Sequence, residues 1–288
     1  MELDITQFRV NGETEVDLSK TSVIKDLSIT EEEIRDDLIP KSIDKLRDLQ
    51  VKLFAEEKQG ILVVLQAMDA AGKDEAITFI FSKLSAQGLR SSSFKKPTDL
   101  DLKHDYLWRF QPAMPERGEI SILNRSYYEE VIGARVQGQL EEEPIPENKV
   151  NEDIWDIRYR QLRDFERYLT ENGFSVVKFF LNVSKDVQKD RLLERMKDKE
   201  KNWDFSFSDV EDRGKWDDFQ DAFKDMIRHT ATDYAPWYVL PADDEWLSRY
   251  LISEIMVDQL ERLDPQKPVI TDEDREKLDE YIKKLENE

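Results

Sequence analysis

The chain has 288 residues, a formal net charge of −21 and no cysteine, which excludes disulfides and thiolate metal sites. The acidic charge argues against general nucleic-acid binding. No apolar run approaches the roughly 20 residues that a membrane-spanning helix needs, and the acidic N-terminus lacks the apolar segment of a secretory signal. We therefore expect a cytoplasmic protein without nucleic-acid or membrane partners.

The first elements lead to a small-residue turn. Residues 1–40 are predicted to form a polar N-terminal arm, and apolar residues at helical spacing over residues 43–55 predict an amphipathic helix. The continuous apolar run over residues 61–65 is typical of a buried parallel strand. A turn of small residues follows, and a second helical segment begins at Lys73.

A phosphate-binding loop has this layout: a strand, then a turn of small residues that contains Gly-Lys, and then a helix. In such a loop backbone N–H groups and a helix N-terminus point at an anion, and the lysine adds a positive charge. The pattern is incomplete, because Ala67 replaces the first glycine and Asp74 replaces the final Ser or Thr, a standard Mg²⁺ ligand. Asp69, inside the loop, could hold the metal instead. The alternative is an ordinary strand–helix turn in which Gly72 only relieves strain; the agreement of loop, lysine and flanking periodicity favours a phosphate site.

The remaining elements alternate between strands and helices. Four further strands are predicted at residues 89–94, 119–123, 174–183 and 237–240. Alternation of this kind implies an α/β fold with a mostly parallel, five-stranded sheet between two helical layers, a three-layer sandwich. Residues 264–288 are predicted to form a charged helical tail, either solvated or an oligomer contact.

Polar residues follow the third predicted strand. A phosphate-loop enzyme normally carries a metal-binding aspartate there, and this chain has Asn124, a weaker Mg²⁺ ligand. Glu129 lies five residues on, so Asp69 and Glu129 are the metal candidates and Asn124 a polar support. The alternatives are a turn former for Asn124 and a helix first turn for Glu129.

Arg125 follows at a strand's carboxyl end, where open α/β sheets bind ligands, and its planar guanidinium suits bidentate phosphate contact. The next two residues, Tyr127 and Tyr128, either pack in the core or face a nucleobase. Neither histidine has a serine or cysteine arranged around it. A phosphate acceptor is already ionised at neutral pH, so positioning and charge neutralisation suffice for its phosphorylation.

Residues 185–216 are charged and contain several cations. Arg191 and Arg195 are four residues apart and share one helix face, and Arg213 lies beyond them. Such a segment is typical of a mobile lid that closes cations over phosphates. A solvated helix is the alternative.

Several blocks, in this order, resemble the polyphosphate kinase 2 family over roughly residues 41–260. The blocks are MDAAGKD (68–74), SFKKPT (93–98), HDYLWR (104–109), RGEISILNRSYYEEV (117–131), WDDFQDAF (216–223), TATDYAPW (230–237) and PADDEW (241–246). The resemblance implies a P-loop kinase-like fold and reversible, Mg²⁺-dependent phosphoryl transfer from inorganic polyphosphate to AMP and ADP, yielding ADP and ATP, with Mn²⁺ as an alternative ion. It also implies a phosphotransferase domain at residues 41–263 that includes the lid, and assembly into a homo-oligomer.

The resemblance also implies roles for individual residues. Asp69, Lys73, Arg125 and Glu129 would be catalytic, with Asp69 and Glu129 holding the metal. The phosphate- and nucleotide-binding residues would be Ala70, Ala71, Gly72, Asp74, Asn124, Arg191, Arg195 and Arg213. Asn124 followed by S-Y-Y-E resembles the branch of the family that accepts both AMP and ADP.

Two other functions fit the same residues. One is an ATP-dependent nucleoside monophosphate kinase on the same fold. The other is a P-loop nucleotide-binding regulatory module without turnover, which the missing Walker-A hydroxyl and Asn124 would explain.

Overall fold

The computed structural model describes residues 3–12, 16–19, 29–150, 153–200 and 202–288. Within them one sheet is formed by β1 (Arg9–Val10), β2 (Gly60–Ala67), β3 (Leu89–Ser93), β4 (Ile120–Asn124), β5 (Phe174–Asn182) and β6 (Trp237–Pro241). The strand order across the sheet is β1-β6-β5-β2-β4-β3. Strands β2 to β6 pair in parallel, and β1 pairs antiparallel with β6.

The predicted α/β fold with a mostly parallel sheet is confirmed, but the count of five strands is wrong. The additional strand, β1, comes from the predicted polar arm, where Phe8 and Val10 are buried against the core. A two-residue strand is shorter than the four residues over which alternation can be recognised. The sequence pattern therefore could not reveal it.

The helices form a layer on each side of the sheet. They are α1 (Glu31–Glu33), α2 (Ile39–Glu56), α3 (Lys73–Phe81), α4 (Gly133–Val136), α5 (Ile154–Glu171), α6 (Lys185–Lys197), α7 (Phe207–Gly214), α8 (Trp216–Thr230), α9 (Glu245–Leu263) and α10 (Asp272–Glu286). Helix α9 packs against α2 and α3, and α5 packs against α8. A π-helical segment, Ile34–Leu38, joins α1 to α2, and shorter 3₁₀ turns lie in the connections.

Strand β2 is the centre of the sheet. All eight of its residues are buried, as expected of a parallel strand covered by helices on both faces. It lies between β4 and β5, and its Leu65 is in register with both Asn124 and Phe179. The chain therefore leaves β2 at a point where strand order reverses, the position at which open α/β sheets form a ligand crevice.

A charged network is buried behind that crevice. Lys178 of β5 and Glu166 of α5 are both fully buried, and Lys178 Nζ donates to Glu166 Oε2 at 2.6 Å. The hydroxyls of Tyr127 and Tyr128 donate to Glu166 Oε1 at 3.0 and 2.6 Å. Both tyrosines are therefore core residues, and they fix the turn that follows β4.

The C-terminal tail lies outside this core. Helix α10 is exposed throughout, and its N-cap Thr271 accepts a hydrogen bond from Asp274 N. Within the described part of the chain, none of the helices combines the length and the apolar character required to cross a membrane.

Candidate active site

The loop after β2 wraps around the side chain of Lys73. Lys73 Nζ donates to Ala67 O at 3.2 Å and to Met68 O at 3.1 Å, and burial lowers the pKa of this ammonium group although the charge of Asp69 opposes the shift. The loop reverses direction at Ala70 and Gly72, whose φ angles of 59° and 94° lie in the left-handed region. A turn of this kind directs successive backbone N–H groups to one side, where they can bind an anion.

Arg125 faces this loop from the end of β4. Its φ of 58° is unusual for a residue with a side chain, and strain of this kind is concentrated at functional sites. Arg125 Nη2 donates to Asp69 Oδ1, which forms an ion pair across the crevice. The two charged residues that the sequence assigned to catalysis from separate strands are therefore in direct contact.

Glu129 lies in the 3₁₀ turn Tyr127–Glu130 that continues from Arg125. Burial raises the pKa of Glu129, while the positive charges of Arg125 and Lys73 act in the opposite direction. Glu129 lines the same cavity as Asp69. The predicted metal candidates therefore share one compartment.

Asn124 contacts the residue at the Walker-A hydroxyl position. Asn124 Nδ2 donates to Asp74 Oδ1 at 2.5 Å. A usual phosphate loop has a hydroxyl on the helix and a carboxylate on the strand. Here the carboxylate is on the helix and the donor on the strand, so the two departures from the usual pattern complement each other. Asn124 acts in this structure as the polar support of Asp74.

Two cavities meet at the Asp69–Arg125 pair. The first has a volume of 390 Å³ and is lined by the loop and its neighbours, among them Asp69, Ala70, Ala71, Gly72, Lys73, Asp74, Asn124, Arg125 and Arg195. The second has a volume of 370 Å³ and combines Asp69, Arg125 and Glu129 with Lys95, Lys96, Arg109 and Lys215. Nearly every predicted site residue is thus brought to one crevice at the carboxyl ends of β2 and β4.

Four cations of the second cavity, Lys95, Lys96, Arg109 and Lys215, were not among the predicted site residues. Lys95 and Lys96 come shortly after β3, which lies parallel to β4 with Ser93 in register with Asn124. Arg109 Nη1 donates to Lys95 O at 2.6 Å and so holds this segment in place. The available signal was the position of two lysines just beyond a strand's carboxyl end.

The three arginines of the predicted lid occupy different positions. Arg195 lines the first cavity and lies 3.2 Å from Glu75. Arg191 instead donates to Ala70 O at 3.3 Å and to Ala242 O at 2.9 Å, and so supports the loop by its backbone. Arg213 donates to Lys185 O at 2.6 Å and to the Gln188 side chain at 2.9 Å, which ties α7 to α6 rather than bringing its charge to the crevice.

Helix α7 directs carboxylates toward the crevice. Asp209 lines the first cavity and Asp212 the second. Burial raises the pKa of Asp209 to about 6, and the charge of Asp69 adds to the shift, whereas Arg125 opposes it. The segment predicted to form a lid therefore presents carboxylates as well as cations to the crevice.

The donor set fits a hard divalent cation. No group of three or more potential metal-ligating side chains is found in the described part of the chain. Mg²⁺ is usually bound by only one or two carboxylates together with waters and substrate phosphates. Asp69 and Glu129, beside a loop shaped for phosphate, match that requirement.

Comparison with known proteins gives a consistent result. The family model described as polyphosphate kinase 2 matches residues 29–268. An ADP-polyphosphate phosphotransferase of Rhodopseudomonas palustris is 40% identical over 280 residues, covering 96% of this chain and 97% of the relative. An AMP/ADP-polyphosphate phosphotransferase of Meiothermus ruber is 46% identical over 224 residues, 78% of this chain and 80% of the relative. The crystal structure of polyphosphate kinase 2 from Arthrobacter aurescens TC1 matches with a TM-score of 0.82 and 34% identity, covering 92% and 91% of the two chains.

Proposed function

Because this chain belongs to the polyphosphate kinase 2 family, we propose that it transfers phosphoryl groups from inorganic polyphosphate to AMP and ADP, yielding ADP and ATP reversibly. Two relatives are named for such a reaction, one with ADP and one with both nucleotides. The observation in this chain that carries the proposal is that Asp69, Lys73 and Arg125 line one cavity at the end of the central strand.

The chemical step needs no protein nucleophile. An oxygen of the acceptor's terminal phosphate attacks the terminal phosphorus of polyphosphate. A P–O bond to the acceptor forms while the bridging P–O bond breaks, and the shortened polyphosphate leaves with the electron pair of that bond. Because the acceptor phosphate is largely ionised near neutral pH, no general base is required. Positioning and charge neutralisation supply the catalysis.

The residues divide this work between the two cavities. Lys73 and the backbone of the loop bind phosphates in the first cavity, and Lys95 and Lys96 bind those of the partner substrate in the second. Arg125 lines both, so it can neutralise charge on the transferring group. To do so, its guanidinium exchanges the carboxylate of Asp69 for phosphate oxygens.

Asp69 and Glu129 would hold Mg²⁺, or Mn²⁺ in its place, with substrate phosphates completing its ligands. The bound ion supplies neutralisation of the negative charge on the phosphate oxygens. Once Arg125 contacts phosphate oxygens instead of Asp69, the Asp69 carboxylate would be able to hold the ion. Asp74, oriented by Asn124 at 2.5 Å, lies at the first turn of the same helix and supports the loop.

We also propose that residues 185–216 form the lid of the phosphotransferase domain at residues 41–263. Arg195 and Lys215, which line the cavities, would contact polyphosphate. Arg191 and Arg213 would position the loop and α7. Replacing Arg195 with alanine should therefore raise the polyphosphate KM more than the nucleotide KM, and the opposite ranking would argue against a lid.

Cytoplasmic location and a homo-oligomer complete the proposal. The exposed apolar residues Leu278, Tyr281, Ile282 and Leu285 recur at helical spacing on α10, which suits a contact between subunits. Light scattering on the intact chain would measure the assembly. A monomeric mass at micromolar concentration would contradict this part.

A turnover assay separates the three candidate functions. The purified protein is incubated with Mg²⁺, polyphosphate and AMP or ADP, and nucleotides are separated by chromatography. Formation of ADP and ATP with polyphosphate as the only phosphoryl donor is the expected result. An ATP-dependent monophosphate kinase would give no product under these conditions. A regulatory module would bind nucleotide but give no product that depends on Asp69.

A further inference from the structure

Helix α6 holds the phosphate loop by two of its carbonyl oxygens. Gln188, which is fully buried, lies in the first turn of the helix, and its Nε2 donates to Asp69 O at 3.1 Å. Arg191, three residues later on the same face, donates through Nη1 to Ala70 O at 3.3 Å. Ala70 has a φ of 59°, a left-handed conformation that is unfavourable for a residue with a side chain. The two contacts therefore stabilise the strained part of the loop.

These contacts also set the direction of the loop's backbone donors. A peptide unit is planar and trans, so its N–H points opposite to its C=O. Because the carbonyls of Asp69 and Ala70 point at α6, the N–H groups of Ala70 and Ala71 point away from that helix. Both alanines line the first cavity, where the loop is expected to bind phosphate. Gln188 thus orients a backbone donor of the phosphate loop from behind.

The other end of the Gln188 side chain contacts α7. Gln188 Oε1 accepts a hydrogen bond from Arg213 Nη1 at 2.9 Å, and the same nitrogen donates to Lys185 O at 2.6 Å. Arg213 lies in the last turn of α7, the helix that presents Asp209 and Asp212 to the two cavities. One buried amide therefore contacts α7 with its oxygen and the loop with its nitrogen.

The two partners determine the orientation of this amide. A guanidinium only donates and a carbonyl only accepts, so the oxygen must face Arg213 and the nitrogen must face Asp69. Losing either partner would let the amide turn, and the remaining hydrogen bond would then lose its alignment. The two hydrogen bonds are therefore expected to act as one unit, because a side-chain network can be worth more than the sum of its separate members.

We propose that Gln188 is a positioning residue for phosphoryl transfer, which holds the Asp69–Ala70 peptide in its phosphate-binding orientation only while Arg213 of α7 holds the amide. The inference rests on the proposed function and adds to it a link between α7 and the loop. Gln188 acts through the backbone of Asp69 and not by contact with a substrate. Losing the link misplaces donors that face the transferring group, so it should lower kcat and leave the binding of both substrates nearly intact.

A double-mutant cycle tests the link in the intact chain, with polyphosphate as donor and ADP as acceptor. Gln188→Met keeps a similar length without the amide, and Arg213→Met removes the guanidinium. Each should lower kcat by about 10- to 100-fold while both KM values change less than about threefold. The double variant should lose no more than about twofold beyond Gln188→Met alone. Gln87→Met, at an exposed site, is the matched control and should behave as the wild type.

Other roles of the two residues give different results. If Gln188 only fills space, the folded Gln188→Met variant keeps the wild-type kcat. If Arg213 contacts polyphosphate directly, Arg213→Met raises the polyphosphate KM, and its effect multiplies with that of Gln188→Met. Either result would overturn the inference. Arg213 is partly exposed, so Arg213→Met keeps the test decisive should Gln188→Met fail to fold: an unchanged kcat in that variant alone overturns the link.

The proposed function and this link fail in different ways. A wild type that forms no product from polyphosphate and ADP would refute the proposed function. In that case hydrogen–deuterium exchange over residues 68–75 still tests the link, because it needs no turnover. Faster exchange of this loop in Arg213→Met than in the wild type is expected, and equal exchange would contradict the link. An active wild type whose Gln188→Met variant keeps its kcat would refute the link alone.

Discussion

Removing the charge of Lys73 gives the sharpest prediction about the phosphate loop. Methionine has nearly the same length and no charge, so Lys73→Met keeps the packing and deletes the ammonium group. Loss of one preorganised charged donor to a transition-state phosphate should lower kcat by about 10²- to 10³-fold, or about 2.7–4 kcal/mol. The folded state loses two hydrogen bonds, to Ala67 O and Met68 O, but no longer buries a cation whose pKa is lowered by desolvation. These two effects oppose each other, so the free energy of unfolding should change by only about 1 kcal/mol.

The assay measures kcat and KM for polyphosphate and ADP, together with urea unfolding of the same samples. Lys83→Met, an exposed lysine just beyond the end of α3, is the matched control and should behave as wild type. A Lys73→Met enzyme with unchanged kcat/KM would refute the phosphate-loop assignment. If Lys73→Met is strongly destabilised and its lower activity only reflects the unfolded fraction, the prediction that Lys73 acts on catalysis rather than on folding is refuted.

Three further predictions concern the surroundings of the loop. Asp209 becomes negatively charged as the pH rises through about 6. The kcat/KM of Asp209→Asn for polyphosphate, divided by that of the wild type, should therefore be near one at pH 5 and about three- to tenfold higher at pH 7.5. A pH-independent ratio would contradict the position of this carboxylate. Glu129→Ala should reduce phosphorylation of AMP more than that of ADP in parallel initial-rate assays, and equal losses would count against a selective role. Lys178→Met leaves Glu166 buried without its cation, so it should lower the free energy of unfolding in urea by about 3–5 kcal/mol. Adding Glu166→Gln should recover much of this loss, because it removes the unpaired charge. If the effects of the two substitutions simply add, the two residues are not coupled.

The parallel strands could be predicted because their signals are local. Strand β2 is a continuous apolar run, and β5 is rich in β-branched and aromatic residues. Strand β1 has only two residues, and the antiparallel pairing of Arg9 with Tyr238 joins segments from opposite ends of the chain. No window of sequence contains that information.

The site residues that belong to a sequence motif could be predicted. Those whose position depends on tertiary contacts could not. Lys73 and Asp69 belong to one loop, and Arg125 follows the neighbouring strand directly. The direction of Arg213, toward Lys185 and Gln188, depends on how α7 meets α6. The spacing of charged residues predicted only that Arg213 lies in a charged helical segment.

The central claim is that the crevice beside β2 moves one phosphoryl unit from polyphosphate to a nucleotide. Polyphosphate labelled with ³²P at its terminal units, mixed with unlabelled ADP and Mg²⁺, tests it most directly. The account predicts that label appears in the γ-phosphate of ATP in step with shortening of the chain, and that Asp69→Ala abolishes this transfer. ATP formation without label, or label transfer that persists in Asp69→Ala, would contradict it.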